Sequence, residues 1–248
     1  MARRFEEKVA LITGAGSGIG RAVALHLVGK GARVFGVDID AAALDDVAAE
    51  AGDAFVGRVA DLAEPQQCRD VVDACVAESG RLDVLGNIAG IAASAMFTDV
   101  TVEQYRRIMA VNAEACFFLC QAAVPHLLET SGNIVNLASN AGLMGQAYTV
   151  AYCMSKGAVI QLTRSLAMEY VKTDLRVNAI APAGVDTPLL HSFTLPPDVD
   201  FELMQPYVGH RGVAEVGEIA RAFAFVASDD ARSMHGAVLS IDNGVTAG

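Results

Sequence analysis

Apolar residues along the chain fall into seven short runs rich in valine and isoleucine, and amphipathic segments lie between them. Short continuous apolar runs are typical of strands buried on both faces, and the segments between them have helical period. The predicted strands are KVALIT, ARVFGVD, AFVGRV, LDVLGNIAG, GNIVNLAS, LRVNAIAP and AVLSID. The predicted helices cover residues 19–30, 41–51, 65–79, 102–128, 152–172 and 216–228. Because strands that alternate with helices form parallel βαβ units, the pattern predicts an α/β fold, a doubly wound three-layer sandwich with a seven-stranded parallel sheet.

The chain length indicates one domain with one irregular segment. At 248 residues the chain lies within the range of a single large domain, and no internal repeat or low-complexity linker divides it. Residues 189–212 break the alternation and contain Pro196, Pro197 and Pro206. Insertions of this length are usually functional loops. We therefore predict a single domain over residues 1–248 with a substrate lid at about residues 189–212.

Composition and charge exclude several classes of protein. Hydrophobic residues make up 53% of the chain, which argues against disorder. The formal net charge of −11, without a cluster of basic residues, does not suit a nucleic-acid partner. The longest uncharged stretch, residues 130–155, contains three asparagines and three glycines, so it does not predict a membrane span.

The amino terminus and the cysteines bear on the location of the protein. The first residues, MARRFEEKVALITG, lack the apolar segment of a secretory signal, so we expect a cytoplasmic protein. The five cysteines are an odd number, and we expect reduced, mostly buried thiols. Metal binding by Cys116 and Cys120 is the alternative, but no third ligand lies close in sequence and we expect no metal site.

The first predicted strand leads into a glycine-rich turn, TGAGSGIG, at residues 13–20, and then into a helix. Its glycines allow a tight turn and a close approach of the backbone to a pyrophosphate, and the start of the helix adds free N–H groups. Such a segment can be only a turn, but its place in an N-terminal βαβ unit favours phosphate binding. The predicted cofactor residues here are Gly14, Ser17, Gly18, Ile19 and Gly20.

Acidic and small residues end the next three predicted strands. Asp38 is placed to accept hydrogen bonds from ribose hydroxyls and to repel a 2′-phosphate, so NAD is expected rather than NADP. The alternative is a solvated aspartate at a strand end. Asp61 is placed to bind the adenine amino group. Because ligands of an open α/β sheet collect at the carboxyl ends of strands, the further predicted cofactor residues are Leu62, Asn87, Ala89 and Gly90.

A phenol and an amine lie four positions apart in AYCMSKGAV, residues 151–159. On a helix Tyr152 and Lys156 share a face, and a nearby ammonium lowers the pKa of a phenol, which would make Tyr152 a usable base near neutral pH. Ser139, at the end of the fifth predicted strand, is placed to hold a substrate oxygen. Asn112, in the long helix, is placed to fix a water beside the lysine. Each is ordinary structure by itself, but the combination predicts proton transfer.

The sequence resembles the short-chain dehydrogenases/reductases. The motifs TGAGSGIG, NIAG, YCMSK and NAIAPAGVDTP, with Asn112 and Ser139, run in the family's order over nearly the whole chain. The resemblance implies a Rossmann-like fold and a catalytic tetrad of Asn112, Ser139, Tyr152 and Lys156, with Lys156 also bonded to the nicotinamide ribose. It places Pro182, Val185 and Thr187 beside the nicotinamide. Departures from the family pattern are Ile88, Ala138, Ala183 and Asn243.

The resulting hypothesis is reversible hydride transfer between NAD and a secondary alcohol or its ketone. One alternative is an NADPH-dependent 3-oxoacyl carrier-protein reductase, which Asp38 and the acidic charge oppose. Another is a non-catalytic NAD-binding regulatory protein, which would have no need of Tyr152 and Lys156.

The substrate and the assembly are less closely defined by the sequence. The apolar residues of the lid favour a hydrophobic or cyclic alcohol, or else they only pack the lid on the body. The residues concerned are Leu189, Leu190, Phe193, Leu195, Phe201, Leu203, Met204 and Tyr207, joined by Met96, Leu143 and Met144. The segment ACFFLCQAAVPHLL is apolar on more than one face, and the resemblance implies a homotetramer.

Overall fold

Seven parallel strands form one sheet in the computed structural model, which describes residues 4–247. The strands are β1 (Val9–Thr13), β2 (Arg33–Asp38), β3 (Phe55–Val59), β4 (Val84–Asn87), β5 (Asn133–Leu137), β6 (Arg176–Pro182) and β7 (Val238–Ile241). Their order is β3-β2-β1-β4-β5-β6-β7. Each predicted strand is present, and the predicted parallel sheet is confirmed.

Helices cover both faces of the sheet. They are α1 (Gly18–Val28), α2 (Ala41–Ala51), α3 (Pro65–Ser79), α4 (Val102–Met109), α5 (Ala115–Glu129), α6 (Val150–Glu169), α7 (Pro188–His191), α8 (Gln205–Val208) and α9 (Val216–Ala227). Helices α1, α2 and α9 share one buried cluster with Ala10 and Ile12 of β1, whereas α3, α5 and α6 share the other with Val9 and Leu11. Successive strand residues therefore enter opposite cores, as a sheet between two helix layers requires.

The predicted helix at residues 102–128 is interrupted. A π-helical turn, Ala110–Glu114, separates α4 from α5. By length and composition alone, the segment Val102–Glu129 could cross a bilayer. However, α5 contributes Leu119, Cys120 and other buried side chains to one of the two sheet cores. That position is typical of a core helix, so the length and hydropathy of the segment carry no membrane assignment.

The strand order places a cleft at the carboxyl edge of the sheet. The chain leaves β1 towards β2 and β3 on one side and continues from β4 on the other, so the loops after β1 and β4 diverge at this edge. Such a switch point is where open α/β sheets bind ligands. The loops after β5 and β6 border the same cleft.

The predicted lid contains two short helices, α7 and α8, and a 3₁₀ turn at Phe201–Leu203. It returns to the body where Val185 and Ala214 form a parallel bridge. The C-terminal segment supports this return, because Asn243 Nδ2 donates to the Gly212 carbonyl at 3.1 Å. Asn243 has φ +55°, a conformation that glycine and asparagine adopt most readily, which accounts for this departure from the family pattern.

Candidate active site

Three glycines of the loop between β1 and α1 sit where a side chain would collide. A Cβ at Gly20 would lie 2.0 Å from the Gly14 carbonyl oxygen, and one at Gly14 would lie 3.0 Å from Ala89 Cα. Gly14 and Gly18 also have φ of +67° and +50°. A Cβ at Gly18 would lie 3.2 Å from Thr187 Cγ2 on the opposite side of the cleft. The glycines therefore keep this part of the cleft narrow and lined by backbone.

The start of α1 fits a phosphate group. Ser17 is the N-cap residue, and its side chain makes no capping hydrogen bond in the described chain. The N–H groups of the first turn are therefore left to a ligand, and the positive end of the helix dipole favours an anion there. The residues of this loop that line the cleft are Gly14, Ser17, Gly18, Ile19 and Gly20.

Asp38 is held against the glycine loop. Its Oδ2 accepts from Gly16 N at 2.9 Å and its Oδ1 accepts from Asp40 N at 3.1 Å. A Cβ at Gly16 would lie 3.0 Å from Asp38 Oδ2. Sequence analysis did not single out Gly16, although its position as an additional glycine in the loop was a signal for this contact. The Asp38 carboxylate is thereby fixed at the end of the loop where an adenosine ribose would lie.

Three other predicted cofactor residues do not line the main cleft. Asp61 forms an ion pair with Arg107, with 3.1 Å between Oδ2 and Nη1. Burial alone would raise the pKa of Asp61, but hydrogen bonds from Ala63 N and Arg107 and the Arg107 charge lower it overall. Leu62 and Asn87 line a separate small internal cavity. The sequence placed all three residues at one edge of the sheet because each follows or ends a strand. It could not show the ion pair with Arg107 or the second cavity, because both depend on residues that are distant in the chain.

The Asn87 side chain braces the sheet. Its Nδ2 donates to Asn136 Oδ1 at 2.9 Å and to Cys120 Sγ at 3.3 Å. Beside it, Thr13 Oγ1 accepts from Ile88 N at 2.9 Å and from Ala89 N at 3.0 Å, which holds the end of β4 against β1. Ile88, a departure from the family pattern, packs in the core and also lines the cleft.

Helix α6 brings Tyr152 and Lys156 to the same cleft as the glycine loop. The Lys156 Nζ lies 5.8 Å from the centroid of the Tyr152 ring and donates to the Leu137 carbonyl at 2.8 Å. Lys156 is only 4% exposed, and this burial lowers its pKa to about 8. Gly90 lies beside the amine, since a Cβ there would lie 3.5 Å from Nζ.

The protein groups around Tyr152 raise its pKa, which is the opposite of the effect expected from Lys156 alone. Burial is the largest influence and raises the pKa of Tyr152, the Ser139 hydroxyl acts in the opposite direction, and Cys153 raises it further. The sequence shows the neighbouring amine but cannot show how far the phenol is removed from water.

Ser139 lies at the end of β5, beside the Tyr152 phenol. It is the N-cap of a 3₁₀ turn, Asn140–Gly142, and its Oγ accepts from Ala141 N at 3.1 Å. The hydroxyl donates to Asn140 Oδ1 at 3.2 Å. This pair of bonds fixes the hydroxyl at the cleft wall that also contains Tyr152.

Asn112 holds protein groups rather than standing free beside the lysine. It lies in the π-helical turn and is buried. Its Oδ1 accepts from Ile91 N at 2.8 Å, and its Nδ2 donates to the Ile91 carbonyl at 2.9 Å and to Ser155 Oγ at 3.0 Å. The role of Asn112 in fixing a water beside Lys156 stays a prediction. π-turns are frequent at functional sites, and here the turn ties the loop after β4 to α6.

The opposite wall of the cleft comes from β6 and the lid. Pro182, Val185 and Thr187 line it as predicted, and Ala183 is not among the residues with positive φ, so alanine causes no backbone strain there. The predicted lid residues that line the cleft are Leu189, Leu190, Phe193, Met204 and Tyr207, and Val208 lines it as well. The other predicted lining residues, Leu195, Phe201, Leu203, Met96, Leu143 and Met144, lie outside it.

Polar side chains that sequence analysis did not select complete the cleft, which has a volume of about 380 Å³. They are Asn140, Gln146 and Thr149. Their only sequence signal was proximity to Ser139 and Tyr152. Among residues 4–247, no group of three His, Cys, Asp or Glu side chains could hold a metal ion.

Known proteins are similar to this chain in sequence and in fold. Residues 8–197 match the short chain dehydrogenase family. The chain is 38% identical over 247 residues to D-threitol dehydrogenase of Mycolicibacterium smegmatis, covering 98% of this chain and 94% of the relative. It is 39% identical over 254 residues to cis-4-hydroxycyclohexanecarboxylate dehydrogenase of Sinomonas cyclohexanicum, covering 100% of both. A solved 3-ketoacyl-(acyl-carrier-protein) reductase from Brucella melitensis, complexed with NADH, has a TM-score of 0.86 at 32% identity over 97% of this chain and 99% of that one. The chain belongs to the short chain dehydrogenase family.

Proposed function

We propose that the protein is an NAD-dependent oxidoreductase that interconverts a secondary alcohol and its ketone. One observation carries the proposal: Tyr152, Lys156 and Ser139 line the same cleft as the glycine loop. The glycine loop can bind the pyrophosphate of a dinucleotide, and the other three residues can transfer a proton to or from an alcohol oxygen. Their presence in one cleft is what hydride transfer between a dinucleotide and an alcohol requires. Both relatives described above are dehydrogenases of hydroxyl-bearing compounds.

The cofactor assignment rests on the glycine loop and Asp38. The loop and the start of α1 would hold the pyrophosphate, and the Asp38 carboxylate would accept hydrogen bonds from the adenosine ribose. A 2′-phosphate would meet this carboxylate, and the nearby Arg21 is paired with Glu50. When bound, NAD supplies the hydride acceptor. Asp61, Leu62 and Asn87 are assigned to the surroundings of the cofactor rather than to its first contacts.

The proton moves through Tyr152. Oxidation removes a hydride from the carbinol carbon and a proton from its hydroxyl, and Tyr152 takes that proton. Ser139 binds the same oxygen and orients it. Lys156, when charged, stabilises the phenolate and favours release of the proton from Tyr152. Asn112 is a positioning residue, because it holds residue 91 and Ser155, the neighbour of Lys156.

The body of the substrate is hydrocarbon. Six apolar or aromatic lid residues line the same cleft as Ser139 and Tyr152, and such a wall favours a hydrophobic or cyclic alcohol. The single domain with a lid over residues 189–212 remains our proposal for how substrate is enclosed.

A Tyr152→Phe variant tests the chemistry. The ring remains but the proton-transfer group is lost, so NAD-linked oxidation of a secondary-alcohol panel should fall by about a thousandfold or more. Binding of NAD, measured by calorimetry, should be retained. A Tyr105→Phe variant, on the exposed side of α4, is the control. Normal turnover in Tyr152→Phe would reject the role of Tyr152, whereas NAD binding without turnover in the unaltered protein would favour a non-catalytic NAD-binding protein.

A 3-oxoacyl carrier-protein reductase is the second candidate, because the solved reductase shares the fold at a TM-score of 0.86. The net charge of −11 opposes it, since acyl carrier proteins are acidic. Reduction of a 3-oxoacyl group on a carrier protein should be at least about tenfold less efficient than reduction of a free ketone. The reverse order would favour the reductase.

We also propose a homotetramer in the cytoplasm. Apolar side chains on α4, α5 and α6 remain exposed, including Phe117 at 47% and Met154 at 51%. Burial of this face by another copy would remove it from water. All five cysteines are free thiols, which is consistent with a reducing compartment. Light scattering after size-exclusion chromatography should give four times the chain mass of 25.9 kDa.

A further inference from the structure

Two amides form a polar patch in the otherwise apolar substrate pocket. Asn140 and Gln146 line the same cleft as Ser139 and Tyr152. Asn140 is 4% exposed, and Gln146 is half-buried. Burying an amide against apolar side chains costs free energy unless its donors and acceptors find partners. The partners of these two amides therefore indicate what the pocket binds.

Hydrogen bonds fix the orientation of the Asn140 amide. Its Oδ1 accepts from Ser139 Oγ at 3.2 Å and from Gln146 Nε2 at 3.1 Å. With the oxygen facing these two groups, Nδ2 points elsewhere, and it donates to no residue within 4–247. Within residues 4–247, the fully buried side-chain atoms that lack a partner are Asn87 Oδ1 and Asn133 Oδ1. Asn140 Nδ2 is not one of them, so it is not fully buried. Because Asn140 lines the cleft, we take its Nδ2 to be accessible from the cleft.

Gln146 supplies the complementary group. Its Nε2 is used on Asn140, whereas its Oε1 accepts from no residue in the described chain. An unpaired donor and an unpaired acceptor thus belong to two hydrogen-bonded amides on one wall. A hydroxyl group both donates and accepts, so it satisfies the pair, whereas hydrocarbon leaves both groups unpaired.

We propose that the substrate is a vicinal diol, or the matching α-hydroxy ketone, whose second oxygen is bound by Asn140 and Gln146. The reacting oxygen would lie at Ser139 and Tyr152. Asn140 accepts from Ser139 through Oδ1, and its Nδ2 is bonded to the same Cγ atom of Asn140 as that oxygen. The second oxygen therefore belongs on the carbon beside the carbinol, while the rest of the substrate faces the apolar lid. This inference rests on the proposed function, which it narrows to a substrate class.

The test compares matched alcohols that differ by one vicinal hydroxyl. The pairs are 2-butanol with 2,3-butanediol, and cyclohexanol with cyclohexane-1,2-diol, each stereoisomer separately. Formation of NADH gives kcat/KM for each compound. In the wild-type protein the best diol of a pair should exceed the mono-alcohol by at least about tenfold, because the mono-alcohol leaves both amide groups unpaired.

Variants then locate the discrimination. Gln146→Met removes both polar atoms at similar size, and Asn140→Asp removes the donor but keeps an oxygen towards Ser139. Each should lower the diol to mono-alcohol ratio about tenfold. The ratio, rather than kcat alone, is the readout, because a change in Ser139 orientation affects both compounds equally. Leu143→Met, on the same loop as the two amides but outside the cleft, should leave the ratio unchanged.

Two failures are distinguishable. Equal efficiency within each pair, or a diol preference that survives in both amide variants, overturns this inference and leaves the proposed function standing. Absence of NAD-linked turnover with every alcohol, including the mono-alcohols, overturns the proposed function and the inference with it.

Discussion

The two walls of the cleft are built in different ways. The cofactor wall is backbone: at Gly14 and Gly20 a Cβ would meet main-chain atoms at 3.0 Å or less, and Asp38 is fixed by N–H groups. The lid wall is side chain, held to the body by Tyr148 OH, which accepts from Asp200 N at 2.8 Å, and Tyr207 OH, which donates to the Ala147 carbonyl at 2.9 Å. One wall therefore tolerates almost no substitution, whereas the other can be adjusted without unfolding the protein.

The largest effect is expected from Gly20→Ala on the cofactor wall. A Cβ 2.0 Å from the Gly14 carbonyl oxygen requires the backbone to move, so we expect a loss of about 3 kcal/mol or more in unfolding free energy. Denaturant unfolding measures it. The control is Gly157→Ala in α6, where a Cβ meets nothing within 4 Å, and stability should rise by up to about 1 kcal/mol. Equal effects at both glycines would contradict the comparison.

Asp38→Ala should change cofactor choice without unfolding the protein. Loss of the carboxylate removes the acceptor for the ribose hydroxyls and the repulsion of a 2′-phosphate, so the NAD to NADP ratio of kcat/KM should fall about 10- to 100-fold. Asp40→Asn is the matched control, because Asp40 caps α2 and asparagine caps equally well. A ratio that moves equally in both variants would argue against the assigned role of Asp38.

Lys156→Met, between the two walls, should make the protein more stable but inactive. Burial lowers the Lys156 pKa from 10.5 to about 8, so charging it in the folded protein costs free energy. The cost is full below about pH 8 and fades as the pH rises towards 10.5. After allowance for the lost bond to Leu137, we expect a gain of about 1–2 kcal/mol at pH 7 that shrinks above pH 8. Thermal unfolding over this pH range measures it, and a gain that grows with pH would be the wrong sign.

The smallest effect is expected from Tyr207→Phe on the lid wall. Loss of one part-buried hydrogen bond, from Tyr207 OH to the Ala147 carbonyl, loosens the lid, so KM should rise about two- to fivefold with little change in kcat or melting temperature. Phe201→Leu is the control, since this residue is 68% exposed and lies outside the cleft. A loss of stability as large as that from Gly20→Ala would remove the distinction between the walls.

Features that depend on local chain geometry were predictable. The seven strands and the order of the helices follow from hydrophobic period, and the facing of Tyr152 and Lys156 follows from a spacing of four on a helix. The glycine loop was predictable for the same reason, because only glycine fits its turns. These properties reside in neighbouring residues, so the sequence by itself determined them.

Only the tertiary structure decided properties that depend on distant groups. The pKa of Tyr152 is raised because many segments together exclude water from the phenol. Asn112 is occupied by residue 91 and Ser155, 21 and 43 positions away, and Asp61 is paired with Arg107. Which lid residues reach the cleft, and the pairing of Asn140 with Gln146, likewise follow from how loops pack. Desolvation and contacts between remote residues come into existence only when the chain is folded, and no local pattern encodes them.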